Sequence, residues 1–304
     1  MWGVVPMQRV IVFGGTGFVG RHIVNALLAC QEPYEIHVIS RHGDPQHLFQ
    51  KKGVIFHQAS ILTPATFEHL LTPESVVINT VGILFPTSHQ SFEQIHHHAV
   101  ASLARIAQTK KVAAFIHLSA LGADKDSLSL YASSKAAGEK ALQEGFPNAT
   151  ILRPSVIFGE GDQFLNRFSQ MAAYSPFLPL IGGGKTKFQP VYVKDIALAV
   201  VSILKNKTLQ GKVYELGGDD VLDFKEILEM LLKHEHRNRF LISIPFSFAR
   251  WLGKVGEYLP TPPITQDQVE LLKKDNCCSQ NALTFKDLEI LPLSLKDYLE
   301  KTKR

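Results

Sequence analysis

The chain has 304 residues, 45% hydrophobic and 20% charged, enough for a large buried core in one compact unit or two lobes. A net charge of +4 with no arginine- or lysine-rich block argues against nucleic-acid binding. Cys30, Cys277 and Cys278 make no disulfide framework and point to a reducing compartment, and no apolar run reaches the roughly 18 residues of a membrane span.

About eight residues precede the first predicted strand, too few for a signal or transit peptide, although a processed mature chain also fits. Arg9–Phe13 is β-rich and ends in glycines spaced Gly14-x-x-Gly17-x-x-Gly20. Val19, Ile23, Val24, Leu27 and Leu28 follow at helical spacing. A strand, a glycine turn and a helix in this order let bare amides and a helix N-terminus approach a pyrophosphate. Further strands are predicted at 35–39, 53–57, 75–79, 113–118 and 149–152, with helices at 64–71, 91–109 and 131–144. This rhythm predicts an α/β fold: a Rossmann-type doubly wound parallel sheet with a smaller, mainly helical C-terminal lobe. The texture turns Gly/Pro-rich near residue 155, so the boundary is set at 1–155 and 156–304, with about 186–218 returning to the first lobe.

Strand ends then suggest the cofactor. A carboxylate closing the second strand would bond the ribose hydroxyls of NAD; Ser40, Arg41 and His42 stand there, with no carboxylate before Asp44. A hydroxyl, a guanidinium and an imidazole suit the extra phosphate of NADP(H), which is therefore favoured over NAD(H). Ser60 and Ile61 fall where adenine would rest, and Thr80, Val81 and Gly82 close the fourth strand near the second ribose.

Tyr131-Ala-Ser-Ser-Lys135 places a phenol and an ammonium one helical turn apart. The lysine can hold ribose hydroxyls and lower the phenol's pKa, so that the tyrosine shuttles a proton to or from a substrate oxygen. Ser119, ending the fifth strand, is the candidate for orienting a carbonyl.

These motifs resemble the extended short-chain dehydrogenase/reductase superfamily. Gln94-Ile-His-His97, Leu152-Arg-Pro-Ser-Val-Ile-Phe-Gly159, Asp162–Phe168, Leu180–Asp195 and Leu259–Leu272 narrow the resemblance. They are similar to the atypical branch that contains the nucleotide-binding accessory subunit of respiratory complex I and free-standing bacterial relatives. The resemblance covers about residues 8–275. It implies a tightly held NADPH contacted at Gly14, Thr16, Gly17, Phe18 and Val19, around Arg41, and at Tyr131 and Lys135, with Pro154 and Ser155 bordering the nicotinamide. It also implies either a lone oxidoreductase on a carbonyl, quinone-related or lipid-like substrate, or a non-catalytic accessory factor beside the quinone-reactive region of complex I. A cytoplasmic chain, peripheral at the inner membrane face, fits these readings, as does a mitochondrial-matrix protein if the chain is a processed eukaryotic one. Nucleotide-sugar epimerase or dehydratase chemistry is the weaker alternative. Ser60 replaces the superfamily's adenine aspartate, only 12 residues separate Ser119 from Tyr131, and Ala120 replaces a second hydroxyl.

Other patterns are set aside. Gly184-Lys185-Thr186 lacks the earlier glycine of a phosphate loop and reads as a loop over the active-site mouth. His96-His97-His98 is not expected to hold a metal, because successive helical residues diverge by about 100°; the three read as helix surface or packing, with one of them facing the cofactor pocket as the alternative. Cys277-Cys278 reads as a reduced pair, and Asp195 as the residue that caps or begins a helix over 196–204. Phe248, Trp251, Leu252, Val255 and Leu259 share a helical face opposite Arg250, Lys254 and Glu257, and the proline-rich 259–263 would direct its exit. The first expectation is that this face packs on the protein's body; the alternative is a surface helix touching a membrane or a larger assembly.

Overall fold

The structure is a computed structural model that describes residues 7–31, 33–42, 53–257 and 264–302. Asp44, Leu259 and the proline-rich 259–263 lie outside the described residues.

The chain opens with β1 (Gln8–Phe13), whose last four residues are buried, as in a central parallel strand covered on both faces. The helix α1 (Phe18–Leu28) buries Gly20, Ile23, Val24 and Leu27. β2 (Tyr34–Ser40), β3 (Ile55–Gln58) and β4 (Val76–Asn79) follow. A π-helical turn, Glu93–His98, runs into α2 (Ala99–Thr109). β5 (Ala114–Leu118), α3 (Leu130–Gly145) and β6 (Thr150–Pro154) complete the first half. Beyond lie β7 (Ile157–Phe158), α4 (Phe164–Tyr174), β8 (Phe177–Ile181), β9 (Lys187–Phe188), β10 (Val191–Tyr192) and α5 (Val193–Lys205). The remainder comprises β11 (Val213–Leu216), β12 (Leu222–Asp223), α6 (Phe224–His234), β13 (Phe240–Ile244), α7 (Phe246–Gly256), α8 (Gln266–Leu271) and α9 (Leu295–Lys301).

Seven strands form one sheet in the order β11-β6-β5-β4-β1-β2-β3. Every register from β3 through β6 is parallel. This is the doubly wound fold, and its strand order reverses between β1 and β4. The chain divides into two compact units. The first holds the described residues through Ser119 with Ser134–Leu152 and Ile196–Tyr214. Its core gathers Ile11, Phe13, Val77, Phe115 and Ile151 of the sheet against Val100 and Leu103 of α2. The second holds Ala120–Ser133, Arg153–Asp195 and the described residues from Glu215 onward. Its core is aromatic, built around Phe158, Phe188 and Phe224. It carries three two-stranded sheets, β10-β7, β12-β9 and β13-β8, beside its helices, so it is less purely helical than the sequence suggests.

Several local expectations change. The helix predicted over 64–71 is two 3-10 turns, Pro64–Thr66 and Glu68–Leu70. Phe67 interrupts it at φ −137, turning its fully buried ring edge-on to Phe13 with centroids 4.9 Å apart. Asp195 lies in the first turn of α5, at the start of the helix as expected, and its Oδ2 also accepts the Leu293 N–H at 2.7 Å, tying down the tail segment. The aromatic face of α7 does not pack inward. Ala249, Gly253 and Gly256 are the buried residues, while Phe248, Trp251 and Val255 are each more than half exposed. Gly253 decides this, since a Cβ there would come within 2.8 Å of the Gln266 backbone, leaving the small-residue stripe as the face that can approach α8.

Candidate functional site

In the first unit the glycine turn is built as its spacing requires. Gly14 has φ +75, and its N–H donates to the Ile39 carbonyl at 3.0 Å. A Cβ on Gly20 would stand 2.2 Å from the Gly14 carbonyl oxygen, so only glycine lets α1 begin this close to β1. Gly17 is exposed and starts α1 with no side-chain cap and no acidic residue in the first turn. An open, electropositive helix N-terminus behind a bare backbone is what a pyrophosphate needs, so these residues fit a dinucleotide. Phe18 and Val19, both half-buried, form the first turn of α1. Thr16 Oγ1 and Ser40 Oγ are 2.9 Å apart, joining the turn to the end of β2. Arg41 and His42 are exposed just beyond. Thr80 donates to the Phe13 carbonyl at 2.8 Å, and the Val81 N–H bonds Asn79 Oδ1 at 3.0 Å, which brings the end of β4 against the turn. Of the adenine pair, Ile61 is buried in the core and Ser60 is half-buried with its hydroxyl accepting the Leu62 N–H.

A buried polar cluster stands at the ends of β4 and β5. His117 Nδ1 lies 3.2 Å from Asn79 Nδ2. His96 Nε2 accepts the Ile83 N–H at 3.1 Å, and its Nδ1 lies 2.9 Å from Ser134 Oγ. Lys135 donates to the Leu118 carbonyl at 3.2 Å. A Cβ on Gly82 would be 3.3 Å from Lys135 Nζ, so the exposed Gly82 leaves room beside the ammonium. Burial, and then the Lys135 charge, holds His96 at about 2 and His117 at about 3. Burial also lowers Lys135 to about 8. Both imidazoles are therefore neutral. Ser119 is 4% exposed, and its hydroxyl has no hydrogen-bond partner among the described residues. A buried orphan hydroxyl costs stability, and this one is free to accept or donate a hydrogen bond.

In the second unit, Tyr131 lies one turn before Lys135 on α3. Asp267 holds this end of the helix. Its Oδ1 accepts the Leu130 N–H at 2.5 Å, its Oδ2 accepts Ser129 Oγ at 2.9 Å, and both oxygens face the Tyr131 N–H. Burial, followed by the Asp267 charge, pushes the phenol up to about 12. This reverses the sequence expectation of a lowered phenol: desolvation and a carboxylate dominate. Pro154 is buried, and Ser155 is occupied within its own unit, with Oγ 2.7 Å from Asn276 Oδ1 and 3.0 Å from the Asn276 carbonyl. No local pattern gave Asp267, Asn276, Asn79 or His117 its role, because each meets its partner only across a long stretch of chain.

The sheet order, the glycine turn and the Tyr131/Lys135 helix define a dinucleotide-binding Rossmann protein of the extended dehydrogenase type. The model of the NAD dependent epimerase/dehydratase family matches residues 10–217, and the chain belongs to that family. It is similar to NADH dehydrogenase (ubiquinone) 1 alpha subcomplex subunit 9, mitochondrial, of Arabidopsis thaliana, 36% identical over 94% of this chain and 75% of the relative. The ceramide reductase of Caulobacter vibrioides is 33% identical over 66% of this chain and 62% of that protein. Among solved structures, dTDP-glucose 4,6-dehydratase from Bacillus anthracis in complex with NAD superposes with a TM-score of 0.71 at 17% identity, covering 97% and 95% of the two chains, a likeness of fold.

Proposed function

We propose that the chain binds NADP(H) on the glycine turn and reduces a carbonyl on a lipid-like or quinone-related substrate. The observation that carries this reading is the orphan hydroxyl of Ser119 at the end of β5, in the unit that presents Lys135 and the glycine turn. A bound nicotinamide supplies the hydride for the carbonyl carbon. Ser119 donates a hydrogen bond to the carbonyl oxygen, and Tyr131 gives it a proton. A phenol held at about 12 is protonated at neutral pH, the state a proton donor to the carbonyl oxygen requires. Lys135 holds ribose hydroxyls. Arg41 and His42, exposed beyond β2 with no carboxylate at 40–42, support the 2′-phosphate of NADP(H) over NAD(H).

Melting of the purified protein with added NADPH or NADH tests binding: a ligand at about 100 times its Kd adds about 2.7 kcal/mol. NADPH should raise the transition more than NADH, and Arg41→Ala should narrow the gap. Oxidation of NADPH with ceramide-like ketones, quinones and nucleotide sugars tests turnover. Tyr131→Phe should cut kcat by about 10²–10⁴-fold. Ser119→Ala should slow turnover while leaving the ligand-free protein as stable or slightly more so. A chain that keeps NADPH without oxidising it on any of these substrates defeats the enzyme reading.

A second reading is favoured by the exposed face of α7. The same nucleotide then serves stability alone, and the chain is an accessory or assembly factor that meets a membrane-side partner of the respiratory complex I kind through Phe248, Trp251 and Val255. The similarity to the Arabidopsis subunit supports it. No helix among the described residues is long and apolar enough to cross a membrane, and the contact in this reading is peripheral, at an inner-membrane face.

A further inference from the structure

Neighbouring side chains diverge on an α-helix, but Glu93–His98 is π-helical. The π-helical hydrogen bond runs between residues i and i+5 rather than i and i+4, so positions i+4 and i+5 both stand over position i. Here those positions are His97 and His98, and the residue beneath them is Glu93. His97 Nδ1 lies 2.6 Å and His98 Nε2 3.2 Å from the same Glu93 oxygen, Oε1. The two rings are 5.0 Å apart, and the three ligand atoms fall within 4.8 Å of one another.

We propose that Glu93, His97 and His98 form a binding site for a divalent transition-metal cation of the zinc type. Two imidazoles and one carboxylate exclude magnesium and calcium, which take oxygen ligands, and suit zinc, cobalt, nickel or copper. Bond lengths of about 2.0–2.2 Å to a tetrahedral ion place its ligands roughly 3.3 Å apart. The Glu93–His98 pair already has that spacing, and the Glu93–His97 pair reaches it by a sub-ångström rotation of exposed side chains. Three protein ligands leave a fourth position for water, and the side-chain exposures of 55%, 33% and 65% admit an ion from solvent.

A second feature makes the site more than a chance surface cluster: the turn that carries it is pinned from behind. His96, between the outward groups, is buried with both ring nitrogens engaged by Ile83 and Ser134. A Cβ on Gly138 of α3 would stand 1.9 Å from the His96 carbonyl oxygen, so α3 lies directly on this backbone. Ser91 and Gln94 exchange side-chain to backbone hydrogen bonds at 3.1 Å each, which sets where the turn starts. The π register is thus held by contacts independent of any metal, and the three ligands are presented on a rigid backbone. The site stands apart from the nucleotide reading and does not depend on it.

The test is titration of the full chain with zinc chloride and with cobalt chloride as the coloured probe. One equivalent of cobalt should bind with visible d–d bands and no thiolate charge-transfer band. Glu93→Gln, and the pair His97→Ala with His98→Ala, should each weaken binding about tenfold or more, whereas Cys277→Ser with Cys278→Ser should change nothing. Zinc should raise the melting temperature of the wild-type chain and leave that of the double histidine variant unmoved, while the metal-free proteins melt alike. Unchanged affinity in the histidine variant, loss only in the cysteine variant, or no uptake at millimolar metal would each overturn the site.

Discussion

Buried histidines give the first unit a pH dependence that can be worked out residue by residue. His96 and His117 are 2% and 1% exposed and are held near 2 and 3 when folded, against about 6.5 in an unfolded chain. Between those limits the unfolded state binds more protons, so stability is fully present above about pH 6.5 and is lost as pH falls towards the folded values. The slope is about 1.4 kcal/mol per pH unit for each histidine. Urea denaturation at pH 7, 6 and 5 should show this decline, and His117→Asn should remove one histidine's share. An unchanged slope in that variant would mean that His117 is already protonated in the fold. The glycines of the opening turn were legible in the sequence because backbone conformation is written into residue type. The neutral state of His117 was not, because it follows from burial and from the charge of Lys135 on a different element.

Helix starts show the same division. Glu226 and Asp223 cap α6 from within four residues, a local pattern. α3 is capped from outside by Asp267, which serves Ser129, Leu130 and Tyr131 from 136–138 residues away. Asp267→Asn should therefore act twice. It weakens the cap, costing about 1 kcal/mol in melting or denaturant experiments. It also removes the charge that helps hold the Tyr131 phenol near 12, so the phenol should ionise at lower pH. Ultraviolet difference titration against a Tyr131→Phe reference reads this second effect, which loss of a cap alone would not produce. Elements whose identity rests on spacing, such as α1 and α3, were predictable. The stretch at 64–71 was not, because the demand of the core for the Phe67 ring outweighs a helical pattern.

Across the whole molecule, alternating strands and helices were enough to anticipate a doubly wound parallel sheet, while the order β11-β6-β5-β4-β1-β2-β3 came only from the tertiary structure. Which face of α7 turns outward was likewise not legible. Its apolar residues have the period of a packed helix, yet Ala249, Gly253 and Gly256 allow a closer approach than Phe248 or Trp251 could. Trp251→Glu with Val255→Glu should leave melting and NADPH affinity unchanged but abolish co-fractionation with membranes or with NADH:quinone oxidoreductase. If that association survives, α7 is not the contact surface. The amino-acid order by itself determined the fold class, the glycine turn and the Tyr131–Lys135 spacing, because each depends on backbone preference and on periods of a few residues. Only the tertiary structure decided that His96 points inward while His97 and His98 meet Glu93 outside, that Asp267 anchors the tyrosine helix, and that the Ser119 hydroxyl is left without a hydrogen-bond partner among the described residues. Those outcomes depend on which distant groups are brought within hydrogen-bonding range and how much water is removed around them, and no local pattern encodes either quantity.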